Sequence, residues 1–173
     1  DRIAEVRSVG FPGVPIPDRS RPQGATREID AHGMYVLPGF VDVHVHTGGA
    51  PKAPQAEYIY KLWLAHGVTT VRGVPFGDFR WSLGEKALSE RNEIVAPRMF
   101  TYHRPGTGWD RGPVRDPATA REWVRWLANV VVDGAKVDGV KLGAEDPELM
   151  AALIDEARKH GLGTVAHLDQ MGV

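Results

Sequence analysis

A chain of 173 residues with 21 Lys plus Arg against 22 Asp plus Glu carries a net charge of −1, no excess that would hold nucleic acid or an anionic membrane. The absence of cysteine excludes disulfides and thiolate metal sites, and no apolar run approaches the roughly 20 residues of a membrane span. The length fits one domain able to bury about 70% of its unfolded-state surface. No signal peptide is visible, and the start at Asp1 leaves room for a segment removed upstream. A soluble protein, in a bacterial-type cytoplasm or exported, is the expectation.

Ile3–Val9 reads as a short strand, and 10–24 is a turn-rich excursion with Pro12, Pro15, Pro17 and Pro22. Arg27–Leu37 offers two short strands around Asp30-Ala31-His32-Gly33. Residues 1–37 are too few for a core of their own. From Pro38 the pattern becomes strand–helix alternation. Phe40–His46 is a strand; Ala56, Ile59, Leu62 and Trp63 follow at helical spacing and stop at Gly67. Val68–Val71 is the second strand, and Leu83, Ala87 and Leu88 mark a weaker helix. Arg98–Tyr102 is the third strand, with a long loop from His103 to Arg115. Asp116-Pro117 opens a helix with inner face Trp123, Val124, Leu127 and Val131. Gly139–Leu142 is the fourth strand. Asp146-Pro147-Glu148 opens another helix, with Leu149, Leu153, Ile154 and Ala157 buried and Gly161 as its stop. Gly163–Leu168 is the fifth strand. Strands alternating with amphipathic helices predict parallel βα units, and no Gly-x-Gly-x-x-Gly turn supports a dinucleotide fold.

The chemistry gathers at strand ends, where (β/α)8 barrels place it. In the first strand Val41, Val43 and Val45 alternate with Asp42, His44 and His46, which puts an acid and two imidazoles on one face. Polar groups there need partners, because burying them bare costs roughly 2–7 kcal/mol. Two readings are open: one metal ion held by both imidazoles, or histidines hydrogen-bonded in an ordinary core. Lys141, flanked by Gly139 and Gly143, is either a ligand or a snorkelling or salt-bridged lysine. His167 follows the apolar Thr164-Val165-Ala166, where a satisfied core histidine is the plain alternative. Tyr102, His103 and the loop carrying Trp109, Asp110 and Arg111 follow strand three and are weaker, substrate-contacting candidates. Arg72 and Asp169 are strand-end candidates of the same kind. His66 and His160 each precede a helix-ending glycine, where a cation suits the helix dipole.

Together these segments resemble the amidohydrolase superfamily, most closely its imidazolonepropionase- and dipeptidase-like members. The resemblance rests on residues 29–33 (Ile-Asp-Ala-His-Gly), 36–46 (Val-Leu-Pro-Gly-Phe-Val-Asp-Val-His-Val-His), 65–72 (Ala-His-Gly-Val-Thr-Thr-Val-Arg), 138–142 (Asp-Gly-Val-Lys-Leu) and 153–167. It implies an α/β fold: a piece of a small β-sandwich over residues 1–37, then the first five βα units of a TIM-type barrel over 38–173. It implies that His44 and His46 bind the more buried of one or two divalent ions, zinc first among them. Lys141, carboxylated by carbon dioxide, would bridge the ions as a carbamate and act in catalysis, and His167 would bind the second ion. The metals would activate water against an amide, peptide or cyclic amide bond. The family's strand-six histidine and strand-eight aspartate have no counterpart here, so this chain alone is expected to be inactive. It is also expected to be a homo-oligomer, or to be completed by the other half of a barrel. A small-molecule or peptide-like substrate is implied, with neither nucleic acid nor membrane. A His-x-His metallophosphoesterase barrel and a non-catalytic scaffold are the alternatives.

Overall fold

The computed structural model describes residues 3–6, 10–11, 13–21, 23–47 and 56–167, and the chain divides into two compact units, 1–37 and 38–173. The first unit has one turn of 3-10 helix, Asp18–Ser20, and no strand among the described residues. The strand expected at 27–37 is therefore not formed, nor is any strand over 3–6; the rest of the one expected at 3–9 lies outside the described residues. A lone hairpin is marginal in water, and none of the unit's described residues is buried, so nothing fixes an extended pairing.

The second unit alternates strictly: β1 (Phe40–Val45), α1 (Ala56–Ala65), β2 (Val68–Gly73), α2 (Phe79–Glu90), β3 (Arg98–His103), α3 (Pro117–Asn129), β4 (Gly139–Leu142), α4 (Pro147–Lys159) and β5 (Gly163–Ala166). The strands lie in the order β1-β2-β3-β4-β5, every pair parallel. A doubly wound sheet reverses its order at a switch point, whereas a barrel adds strands in one direction. This is the N-terminal part of a TIM-type barrel.

Local chemistry explains the boundaries. The Asp78 carboxylate accepts from the N–H groups of Arg80 and Trp81 and starts α2. At α3 Asp116 and Thr119 satisfy each other's backbone donors, with Pro117 in the first turn. Asp146 makes no such bond, and α4 starts on Pro147 without it. Gly67 and Gly161 take φ of +78° and +69°, which only glycine adopts freely, and end α1 and α4.

Two apolar layers face the helices. One joins Leu83 of α2, Trp123, Val124 and Leu127 of α3, Val140 and Leu142 of β4, and Leu153 of α4. The other joins Tyr60, Val71, Phe76 and Met99. Each fully buried large side chain contributes about 1.5–3 kcal/mol. Two expected core positions lie elsewhere. Val131 is 51% exposed because α3 ends at Asn129, and Ile154 is 39% exposed because Leu153 and Ala157 already fill the stripe that faces the sheet. On β1, Phe40, Val41 and Val43 are exposed, whereas Val45 is buried in the second layer.

Candidate metal and catalytic centre

Alternation along the strands separates two surfaces. Met99, Thr101 and His103 on β3, and Val140 and Leu142 on β4, sit on the side packed by helices. Their neighbours Tyr102, Gly139 and Lys141 occupy the opposite, interior face. Lys141 is only 1% exposed.

The curl of the sheet brings its two edge strands together. Neighbouring strands lie about 4.8 Å apart, so a flat sheet would hold the first and fifth about 19 Å from each other. Here Nε2 of His44, on β1, stands 3.1 Å from Nε2 of His167, just after β5, with the rings nearly parallel at 5°. One nitrogen must be protonated and donate to the other. Two imidazoles on one tetrahedral zinc, at about 2.0–2.1 Å each, would have nitrogens about 3.3 Å apart. The observed spacing is close to that figure, so the pair fits a metal.

His46 joins them edge-on, its ring centroid 5.3 Å from that of His44. Its Nδ1–H donates to the Pro75 carbonyl at 3.0 Å, which leaves Nε2 as the lone-pair nitrogen available to a ligand. His44 is held below the ordinary imidazole pKa, first by burial and then by Lys141, His167, His46 and Arg72. That favours the neutral form a metal accepts. The Asp42 carboxylate takes the His44 backbone N–H at 3.0 Å and shapes the strand. Among the described residues no three His, Cys, Asp or Glu side chains converge as a finished metal site. His44 thus touches both other imidazoles, His167 through a hydrogen bond and His46 edge-on.

The weaker candidates divide. Arg72 and Tyr102 lie on the interior side, the Arg72 guanidinium 5.3 Å from the Tyr102 ring centroid. His103 does not contact the interior: it is fully buried against Phe79 and Ser82 of α2, because the odd-numbered residues of β3 face the helices. Trp109 packs on Trp126 of α3 with Arg111 over its ring, outside the barrel. Asp169 lies outside the described residues. His66 and His160 are structural: Nδ1 of His66 bonds the Leu62 carbonyl, and His160 sits 3.6 Å from Glu156.

Sequence reasoning missed the ion pair of buried Lys86 with partly buried Asp138. Lys86 shares a helical stripe with Leu83, Ala87 and Glu90, which was the available signal. Its ammonium reaches both Asp138 oxygens (2.7 and 2.9 Å) and the Lys136 carbonyl (2.8 Å), while Asp138 also accepts the Thr101 N–H at 2.7 Å. This network sits at the entry to β4, three residues before Lys141.

His103 sets a pH dependence. Burial lowers its pKa to about 4, opposed by Asp78. The unfolded chain takes up that proton first, near pH 6.5, so stability is complete above that pH and declines as pH falls toward 4. The loss attributable to His103 should be roughly 3 kcal/mol. Urea titrations across this range should show a steeper decline for the native chain than for His103→Gln, which can still bond Ser82. Parallel pH profiles would refute the assignment.

No protein-family model matches the chain. It is 54% identical over 137 residues to an adenine deaminase of Methanoculleus marisnigri, covering 70% of this chain and 24% of that protein. It is 27% identical over 152 residues to an N-acyl-D-aspartate deacylase of Alcaligenes xylosoxydans xylosoxydans, covering 87% and 27% respectively. The chain thus spans about a quarter of the length of the curated relatives it matches. Two crystal structures share the fold. A prolidase candidate from Bifidobacterium longum has a TM-score of 0.56 and 22% identity, over 75% of this chain and 35% of its own. An uncharacterized protein has a TM-score of 0.65 and 22% identity, over 89% and 48%.

Proposed function

We propose that this chain, which belongs to the amidohydrolase superfamily, provides the first part of a hydrolase centre that cleaves carbon–nitrogen bonds with metal-activated water. The observation that carries the reading is the 3.1 Å approach of His44 and His167 from opposite edges of the sheet, with Lys141 buried on the interior face beside β5. Deaminase and deacylase both name chemistry at a bond to nitrogen.

His44, His46 and His167 would hold a divalent ion, zinc being the choice that suits imidazole, and Lys141 as a carbamate would add an anionic oxygen donor. When bound, the metal lowers the pKa of water and polarises the scissile carbonyl. The chain's own residues prepare this. His46 is held in one tautomer by the Pro75 carbonyl, and His44 is kept neutral by its surroundings. A lysine at the β4 position, where a phosphoesterase reading would expect a histidine or acid, favours the amidohydrolase reading.

The test is metal content together with carbamate chemistry. After incubation with zinc and carbon-13 bicarbonate, the chain should retain one or two ions and show a carbamate resonance that disappears in Lys141→Met. Absence of both metal and resonance would leave only the scaffold reading. None of the described residues supplies the strand-six and strand-eight groups, so residues 1–173 alone should be inactive. A missing acid–base group typically costs about 10²–10⁴ in rate. Turnover of an amide by the verified 173-residue chain, lost with His44→Ala, would overturn that expectation.

A further inference from the structure

We infer that Arg72 is the receptor for a carboxylate on the substrate, so that this centre takes an acidic amide, such as an N-acyl amino acid, in preference to a neutral base. The inference rests on the hydrolase reading and narrows its substrate class. Arg72 leaves β2 on the interior face and is held twice. Its Nε–H donates to the Val43 carbonyl at 2.7 Å, in the residue before His44, and its guanidinium lies over the Tyr102 ring. Tyr102 is itself constrained. A Cβ on Gly139 would come within 2.2 Å of its ring, and one on Gly163 within 2.3 Å of its hydroxyl, so the ring lies across β4 and β5 where only glycines leave space. The fork is thus pre-set by β1 and β3, with β4 and β5 behind Tyr102.

Among the described residues no carboxylate comes within ion-pairing distance of Arg72, whereas Lys86 is paired with Asp138 and Arg121 with Asp155 and Glu156. Its two terminal nitrogens meet no acceptor among the described residues. The nearby groups whose charge acts on His44 alongside that of Arg72 are Lys141, His46 and His167, all bases. The one acid on β1, Asp42, is engaged by the His44 N–H. A half-buried, rigid guanidinium within a basic wall attracts anions, and its planar fork matches a carboxylate in two parallel bonds.

The test uses the metal-free 173-residue chain, so that no carboxylate can bind through zinc. N-acetylglycine, its neutral counterpart N-acetylglycinamide and adenine are titrated by calorimetry and by the Arg72 Nε–H resonance in nitrogen-15 NMR. The acid should bind at least about tenfold more tightly than the amide and shift the Arg72 resonance. Arg72→Met should bring the acid down to the level of the amide, and Arg72→Lys, which keeps the charge without the fork, should recover part of the difference. Zinc should still be retained in both variants, since the proposed ligands are intact.

Equal or undetectable binding of acid and amide by the native chain would overturn the inference, as would a preference that survives Arg72→Met. Loss of the Lys141 carbamate resonance in Arg72→Met, without any acid preference in the native chain, would assign the guanidinium to Lys141 and also overturn it. If Arg72→Met fails to fold, the native Arg72 resonance decides, and no shift at saturating N-acetylglycine refutes the receptor role. An acid preference in a chain that retains no zinc would refute the hydrolase reading and leave Arg72 as an anion receptor. Zinc retention without that preference would do the reverse.

Discussion

Replacing both His44 and His46 with alanine should abolish zinc retention while leaving the fold largely in place. Losing a group that merely supports a ligand weakens metal affinity by about 10–100-fold, and deleting two donors must exceed that. The fold should survive because both side chains are exposed and their contacts are few. His46 bonds Pro75, and His44 bonds His167. The single variants carry further information. His44→Ala removes the contact between the sheet edges, whereas His46→Ala leaves it intact, so the former should cost more affinity. Elemental analysis after dialysis, with circular dichroism as the fold control, makes the comparison. Metal retained by the double variant at the native level would refute this assignment of the centre.

Lys86→Met should destabilise the chain by about 1–3 kcal/mol, because Asp138, 21% exposed, loses its cation but keeps some access to water. Lys86 is 6% exposed, and its loss leaves the Asp138 carboxylate, among the described residues, with the Thr101 N–H alone. The double variant Lys86→Met, Asp138→Asn should recover part of the loss, because it removes the stranded charge. Urea unfolding of the three proteins tests this. A double variant no better than the single one would show that packing, rather than charge, dominates at this point. The effect should reach the centre as well. Asp138 adjoins Gly139 and also exchanges backbone bonds with β3 and β5, through Thr101 and Gly163. Loosening that corner loosens the strand that presents Lys141.

The βα rhythm from Pro38 onward was legible in the sequence because each element is specified locally. Asp78 and Asp116 cap helices with their own side chains, Gly67 and Gly161 end helices through their φ angles, and the apolar stripe of α3 repeats at helical spacing. The site residues His44, His46, Lys141 and His167 were likewise visible as polar interruptions of strand patterns. Their partners were not. That His44 meets His167, 123 residues away, depends on the curl of five strands, which no local pattern encodes. His103 and Tyr102 are adjacent in sequence, yet one is sealed against α2 and the other faces the interior, a division set by strand parity relative to the helices. The Lys86–Asp138 pair bridges 52 positions and was hidden in a helix of weak amphipathicity. The described residues of 1–37 mark the opposite limit: none of them is buried, so extended propensity alone does not produce strands among them. By itself, then, the sequence determined the parallel βα architecture and which polar side chains are candidates for the centre, since caps, stops and periodicity act over a few residues. Only the tertiary structure decided which of those side chains meet and which face the interior, because that depends on sheet curvature and strand parity, which exist only once distant strands have paired.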